Sequence, residues 1–556
     1  MSEPQHPEAP KTIRNADDRA ARRRARPTIP RSRCNLFLFL LLAGAANSAV
    51  FHGPLFKFAA ANLDFQGAGG WLALSTVFVL QFVLTVGTLA TVALVSVRAA
   101  KAVGILLFLG NSIALYFIDS YGVVLDKSMM GNVLNTNVAE ATAFFHFRLL
   151  IYLGLLGALP SMLIAWTTIP PVSRPRRVAF LLTVALLGVA WLYANSKSWL
   201  WVDKHASRLG ALILPWSYVG NSVRYAEAVA NASREQLPLP PARFTDSREV
   251  VVVLVIGESA RAANFSLYGY QRPTNPLLTA AGVTGLPHAR SCATYTTESL
   301  RCMLSYLGGK APLRDSHEPL PSYLQRNGVE VTWRANNWGA PPMKVARFES
   351  ASDIKKQCLG DECARLDYDE VLLFGLEQSM RASSARKKLF VLHQTGSHGP
   401  QYFRKYPPEF EVFKPVCRTV DLSKCSREEL VNAYDNTILY TDYFLSRVIS
   451  VLKSLNGTPA VMLYVSDHGQ SLGEYGLYLH GTPYSIAPDV QKDIPFVVWM
   501  SDTFAGRKSF ATGAARGQAG YSHDFIFHSV LGALGMTSDI YNRSLDLFDP
   551  TPENKP

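Results

Sequence analysis

The sequence predicts an α-helical membrane region of five spans followed by an α/β domain on a largely parallel central sheet. Three observations carry this expectation. Apolar runs dominate residues 35–196, whereas the remainder has the mixed composition of a soluble enzyme. In the second half, strand-like apolar runs alternate with helical patterns, as a sheet covered on both faces requires. Finally, three of those strands end in carboxylates and imidazoles: VVVVLVIGESAR (250–261), LFVLHQTGSH (389–398) and VMLYVSDHG (461–469). At 556 residues the chain is too long for a single core.

Taken in order, residues 1–34 form a basic tail with nine Lys/Arg, Arg22, Arg23 and Arg24 among them. Five apolar stretches follow, at 35–51, 71–97, 102–118, 149–169 and 178–195, each read as a helix crossing about 30 Å of hydrocarbon. A cleavable signal peptide is the competing reading of the first stretch. The long basic region ahead of it and the lack of a small-x-small cleavage site speak against that. Arg98 and Lys101 sit between the second and third spans, and Arg174, Arg176 and Arg177 between the fourth and fifth. Lys57 and Lys127 lie in the other two connections. The positive-inside rule then makes the N-terminus cytoplasmic, and five crossings put everything after Asn195 outside the inner membrane. Topology and anionic lipid account for much of the net charge of +12, so no nucleic-acid partner is read from it.

Residues 197–246 read as an interfacial bridging helix and linker. Trp199, Trp201, Trp216 and Tyr218 mix there with Lys204 and Arg208, and the Pro-rich QLPLPPARF closes the segment. An ordinary linker helix packed on the next domain explains the same residues. The connection 121–147 is expected to be helical and outward-facing. Residues 247–556 form the catalytic domain. Of seven cysteines, six lie beyond residue 290 in close pairs: Cys292 with Cys302, Cys358 with Cys363, Cys417 with Cys425. Six cysteines allow fifteen connectivities, local pairing being the simplest, and such bonds fit an oxidising compartment.

Ligands bind at the C-terminal ends of strands in open α/β sheets. Glu258, His393, His398, Asp467 and His468 would gather there, a set suited to zinc, with manganese as the less favoured ion. A metal-dependent hydrolase or transferase follows. Asp467 and His468 reach one site only if the chain turns after them, and Gly469 is read as permitting that turn. His480 is a further histidine of the same stretch, and a lone histidine is more often a structural hydrogen-bonder. A nucleophile is expected in SCATYTTES (291–299), just ahead of a helix whose N-terminal amides can receive phosphate oxygens. A metal-bound hydroxyl there becomes a nucleophile at neutral pH. Thr294, Thr296, Thr297 and Ser299 are not separable on chemistry alone, and a Ser/Thr-rich capping turn is the bland alternative.

Long, ordered pieces of the chain resemble the inner-membrane phosphoethanolamine transferases that modify lipid A, a group that includes the mobile colistin-resistance enzymes. These pieces are SYGVVLDKSMMGNVLNT (120–136), GESARAANFSLYGYQRPTNPLL (257–278), SCATYTTESLRCMLS (291–305), HQTGSHGPQY (393–402) and SDHGQSLGEYGLYLHGTPY (466–484). The resemblance implies the fold of the alkaline phosphatase and sulfatase superfamily, an alkaline-phosphatase-like sandwich. It implies Thr296 as nucleophile and Glu258, Thr296, Asp467 and His468 around a catalytic Zn2+. It gives His398 and His480 to the phosphoethanolamine group or a second zinc, His393 a supporting place, and Lys344 a phosphate contact. The family also has local disulfides. It further implies a monomer using phosphatidylethanolamine as donor and a lipid A phosphate of lipopolysaccharide as acceptor, in the bacterial inner membrane with the catalytic domain periplasmic.

Departures from the family pattern are Gln470 for the usual glutamate, Arg301 for a proline, and bulky Tyr295 and Glu298 beside Thr296. They bear on the donor pocket and acceptor preference and leave the metal set intact. Rival readings are transfer to a core sugar (Kdo or heptose), a phosphoglycerol transferase, a sulfatase, and a nonenzymatic membrane sensor. Cys292 is followed by Ala-Thr-Tyr, which does not fit the sulfatase maturation context.

Overall fold

In a computed structural model, residues 32–135, 141, 142, 144–232, 236–311, 317–358, 361–508, 510 and 520–549 are described. The basic tail falls outside them apart from residues 32–34, as does Thr136.

Four helices are long and apolar enough to cross a bilayer: Ala68–Val95, Val97–Tyr121, Phe147–Trp166 and Arg174–Ala194. Leu36–Phe51 and Gly53–Ala61 form a pair bent by 61°, which makes a fifth crossing if counted as one span. Leu155, Leu182, Leu186 and Val189 are exposed, which for helices this apolar means a hydrocarbon environment. The third span begins earlier than its apolar run. Ser96 is extended and its hydroxyl caps Ala99, so Arg98 and Lys101 lie inside the helix. Their ends are tied: Lys101 Nζ donates to Ala165 O and Thr167 O, and Arg177 Nη1 donates to Ala93 O. Cations thus satisfy the final carbonyls of two neighbouring spans. The 121–147 connection contains the expected helix, Lys127–Asn135.

Beyond the Trp216–Ala232 helix lies a seven-stranded sheet. Its strands are β1 (Val250–Gly257), β2 (Thr284–Gly285), β3 (Glu330–Ala335), β4 (Arg347–Ser350), β5 (Lys387–His393), β6 (Ala460–Ser466) and β7 (Phe496–Met500). The spatial order is β2-β7-β6-β1-β5-β3-β4. Strands β6, β1, β5, β3 and β4 are parallel, while β7 runs antiparallel to β6 and β2. The sheet is therefore mixed, with one antiparallel strand near an edge.

Every residue of β1 is buried, which explains its unbroken apolar run. Val251, Val253 and Val255 face one core, which includes the helix Arg427–Ser454. Val250, Val252, Leu254 and Ile256 face the other, with the helices Leu320–Arg326 and Asp524–Leu534. A capping box between Ser426 and Glu429 starts the long covering helix. The disulfides Cys292–Cys302, Cys358–Cys363 and Cys417–Cys425 form as the local spacing anticipated, and Cys34 is free.

Leu254 is fully buried on the central strand. Leu254→Ala should destabilise the catalytic domain by about 2–5 kcal/mol, through lost transfer energy and a residual cavity. Calorimetric melting checks this, and an unchanged melting temperature would contradict a sheet buried on both faces.

Candidate metal centre and nucleophile

Strands β1 and β6 are adjacent and parallel, with Gly257 in register with Ser466, so their next residues enter the same space. After β1 the chain turns at Ser259, which holds φ at 56° in the left-handed region. That turn is held from three sides. The Ser259 amide donates to Asp467 Oδ1 at 3.0 Å, Tyr434 OH donates to Ser259 O at 2.7 Å, and Ser259 Oγ donates to Glu258 Oε1 at 2.7 Å. Below it, buried Arg261 donates to Gln470 O and to Glu474, and its guanidinium lies over the Tyr434 ring.

Glu258, Asp467 and His468 are all buried. His468 Nδ1 donates to Gly469 O at 2.9 Å, which leaves the Nε2 lone pair pointing into the site. Glu258 Oε1 lies 3.3 Å from that nitrogen and Asp467 Oδ2 lies 3.2 Å from it. Asp467 Oδ2 has no hydrogen-bond partner among the described residues. Three lone pairs thus converge in a water-poor space, and the residues present fit a divalent cation. Burial, with the Asp467 charge beside it, pushes Glu258 up to about 7, and burial pushes Asp467 up to about 6. Burial lowers His468, which keeps the imidazole neutral as a ligand must be.

The hydroxyl-rich segment now separates. Thr294 Oγ1 is committed to Thr482 O, and Ser299 Oγ to Ala293 O. Thr296 opens the helix Thr296–Met303, donates to Glu258 Oε2 at 3.0 Å and lies 3.5 Å from His468 Nε2. Of the four hydroxyls, Thr296 is the one that joins the carboxylate and imidazole cluster.

Rings of His468 and His480 are 4.3 Å apart, and those of His480 and His398 are 5.2 Å apart. Glu258, His468 and His480 present ligand atoms within 4.8 Å of one another. His480 Nδ1 donates to Gln470 Oε1 at 2.9 Å, while Gln470 Nε2 donates to Tyr402 OH. The neutral amide at 470 thereby orients His480. His393 is fully buried against Trp333, both ring nitrogens are unpartnered among the described residues, and burial lowers it to about 3. It stays outside the metal-capable groups found among the described residues. Lys344 is exposed and its amide donates to Ser322 Oγ, and among the described residues no hydrogen bond or ion pair joins its side chain to Thr296.

Several residues of the site were not anticipated from the sequence. Asn337 donates to Glu258 Oε2 at 2.8 Å, from the loop that follows β3. Asp369 accepts from the amides of Thr395 and Gly396 and so shapes the loop to His398. His523 Nε2 donates to Ser466 O, and its Nδ1 accepts from Cys292 N, tying the nucleophile segment to β6. His523 also groups with Cys292 and Cys302, but those sulfurs are bonded to each other and offer no metal site. A signal existed for the glycines. A Cβ on Gly396 would lie 2.7 Å from Glu258 O, and one on Gly469 would lie 2.1 Å from Val490 O. Gly469 is thus required by close backbone approach, since its φ is not positive.

Two departures near Thr296 answer each other: Arg301 forms an ion pair with Glu298 at 2.5 Å and also donates to Ala311 O. Tyr295 is half-buried, with Asp126 and Tyr225 nearby on membrane-proximal segments.

In the metal-free protein the stabilisation from protonated Glu258 and Asp467 is present below their ordinary values and is lost as pH rises through about 6 and 7. Metal must displace those protons. Zinc affinity should therefore strengthen about tenfold or more between about pH 5.5 and about pH 7.5, as competition titration would read. A flat profile would contradict the ligand set.

Known proteins match along most of the chain. The sulfatase family model matches residues 251–536, and the model described as phosphoethanolamine transferase EptA/EptB matches residues 82–229. The chain is 40% identical to phosphoethanolamine transferase EptA of Helicobacter pylori, covering 92% of this chain and 97% of that one. It is 35% identical to phosphatidylethanolamine transferase Mcr-1 of Escherichia coli, covering 83% and 90%. Among solved structures, the integral membrane lipooligosaccharide phosphoethanolamine transferase A of Neisseria meningitidis superimposes with a TM-score of 0.84, at 29% identity over 93% of this chain and 99% of that one. With both of its halves matched and the likeness running through membrane helices and sheet alike, the chain belongs to the phosphoethanolamine transferase family and carries a sulfatase-type catalytic domain.

Proposed function

We propose that this protein transfers phosphoethanolamine from phosphatidylethanolamine to a lipid A phosphate of lipopolysaccharide, through a covalent phosphoethanolamine-threonine at Thr296. The observation that carries the reading is the Thr296 hydroxyl, held 3.0 Å from Glu258 inside a converging set of metal-type ligands. Glu258, Thr296, Asp467 and His468 would hold a Zn2+ ion, which would supply the Lewis-acid charge that favours the deprotonated threonine hydroxyl.

The remaining chemistry belongs to the chain. Thr296 Oγ1 attacks phosphorus, the bond from phosphorus to the diacylglycerol oxygen breaks, and that oxygen leaves with a proton. An acceptor phosphate oxygen then attacks the phosphothreonine and frees Thr296, with His398 or His480 moving the proton. Gln470 keeps His480 Nδ1 occupied, so its Nε2 is the nitrogen available for that work. The amides at the start of the Thr296 helix receive phosphate oxygens. Beside His398 opens a cavity of about 810 Å³ lined by Asn337, Trp338, Arg404 and Lys405. Its cations suit the phosphate of an anionic glycolipid, and that supports a phosphate acceptor.

The division of labour follows the segments. Residues 1–34 are a cytoplasmic tail, 35–196 five spans with the bent pair counted as one, 197–246 the bridge, and 247–556 the periplasmic catalytic domain. The enzyme acts as a monomer on two lipid substrates, with no nucleic-acid partner. Its product gains a cationic amine, which weakens binding of polymyxin-like peptides.

Mass spectrometry of lipid A from Gram-negative cells expressing the chain tests this reading. A phosphoethanolamine mass increase should appear with the wild type and vanish with Thr296→Ala. An increase that persists in the variant would overturn the nucleophile, and its absence with folded wild type would overturn the acceptor.

A further inference from the structure

Outside the catalytic centre, a cavity of about 710 Å³ lies where the membrane helices meet the catalytic domain. Its walls come from the bent first helix pair, the end of the Val97–Tyr121 helix, the bridging segment and the loop 475–477. Phe58 and Leu115 give it an apolar side, and Lys57, Arg208 and Asp119 give it charge. Arg208 is half-buried, and among the described residues no hydrogen bond or ion pair holds its guanidinium. Burial pulls it below its usual value. A desolvated cation with no partner is a standing cost that an anion would relieve. Lys57 is likewise unpaired among the described residues. Asp119 is exposed and accepts from Tyr152 OH at 2.9 Å, which leaves acceptor capacity for an ammonium.

We propose that this cavity docks one molecule of phosphatidylethanolamine, its phosphate on Arg208 and Lys57, its ammonium toward Asp119 and its acyl chains along the apolar wall. The volume falls in the range of ligand sites, and the charge order matches that headgroup. The position bears on the reaction. Tyr475 and Gly476 form the tip of a hairpin whose strands Ser471–Leu472 and Tyr478–Leu479 run directly from Gln470 and directly into His480. The tip packs on the membrane domain, because a Cβ on Gly122 would lie 2.9 Å from Gly476 O. A docked headgroup therefore touches the element that carries His480. That this lipid feeds the transfer rests on the function proposed above, whereas the docking does not.

Native mass spectrometry of the full-length protein in detergent reads the docking without turnover. Phosphatidylethanolamine should be retained, and diacylglycerol, which lacks the phosphate, about tenfold more weakly. Arg208→Gln and Lys57→Gln should each weaken phosphatidylethanolamine retention about tenfold with melting unchanged, and Arg208→Lys should restore part of it. Equal retention of diacylglycerol by the wild type would overturn the site even if Arg208→Gln failed to fold. So would undiminished retention in a folded Lys57→Gln. Displacement of the lipid by millimolar free phosphoethanolamine or inorganic phosphate would replace lipid docking with a simple anion site. Failure of lipid A modification with docking intact would overturn the function and leave the site.

Discussion

Three lone pairs held together by the fold, on Glu258 Oε1, Asp467 Oδ2 and His468 Nε2, set the constraint that the rest of the catalytic domain serves. Burial disfavours the charge on both carboxyl groups, the Asp467 charge adds to this at Glu258, and both groups take up protons more readily. The parallel pairing of β1 and β6 brings them together. The left-handed turn at Ser259 aims Glu258, and its strain is borne by Tyr434, Asp467 and the Arg261 network. Thr296 reaches Glu258 from a helix start pinned by the Cys292–Cys302 bond and by His523.

The membrane region is joined to this site by packing. One apolar core runs from Leu36 and Phe51 through Tyr121 to Tyr402 and Tyr434. Tyr121 OH donates to Val420 O at 3.0 Å, and Arg148 pairs with Asp421 at 3.4 Å. Both contacts hold span ends against the segment stapled by Cys417–Cys425. An enzyme whose two substrates are lipids gains from such a fixed seat, since the reacting phosphorus arrives at a set height above the bilayer.

Much of the fold was legible because its signals are local. An unbroken run such as Val250–Gly257 announces a strand covered on both faces, and apolar helices of 20 to 28 residues announce spans. Close cysteine spacing was enough to pair all six cysteines of the catalytic domain. The gathering of Glu258, Asp467 and His468 was legible because each sits just beyond a strand end. The choice of Thr296 among four hydroxyls was not, since it depends on where a helix start lands relative to β1, and only the family likeness pointed to it. Asn337, Asp369 and His523 stayed hidden for the same reason: each acts across more than 25 residues of intervening chain. The sharp bend at His52 and the early start at Ser96 were missed because hydropathy does not register capping or helix geometry. The antiparallel β7 likewise leaves no mark in an apolar run of five residues.

Anomalous diffraction at the zinc edge, from crystals of the full-length protein loaded with zinc, tests the central claim most directly. The account predicts one strong peak bounded by Glu258, Asp467, His468 and Thr296 Oγ1. No peak at that point, with zinc instead on His523 or His393, would contradict it.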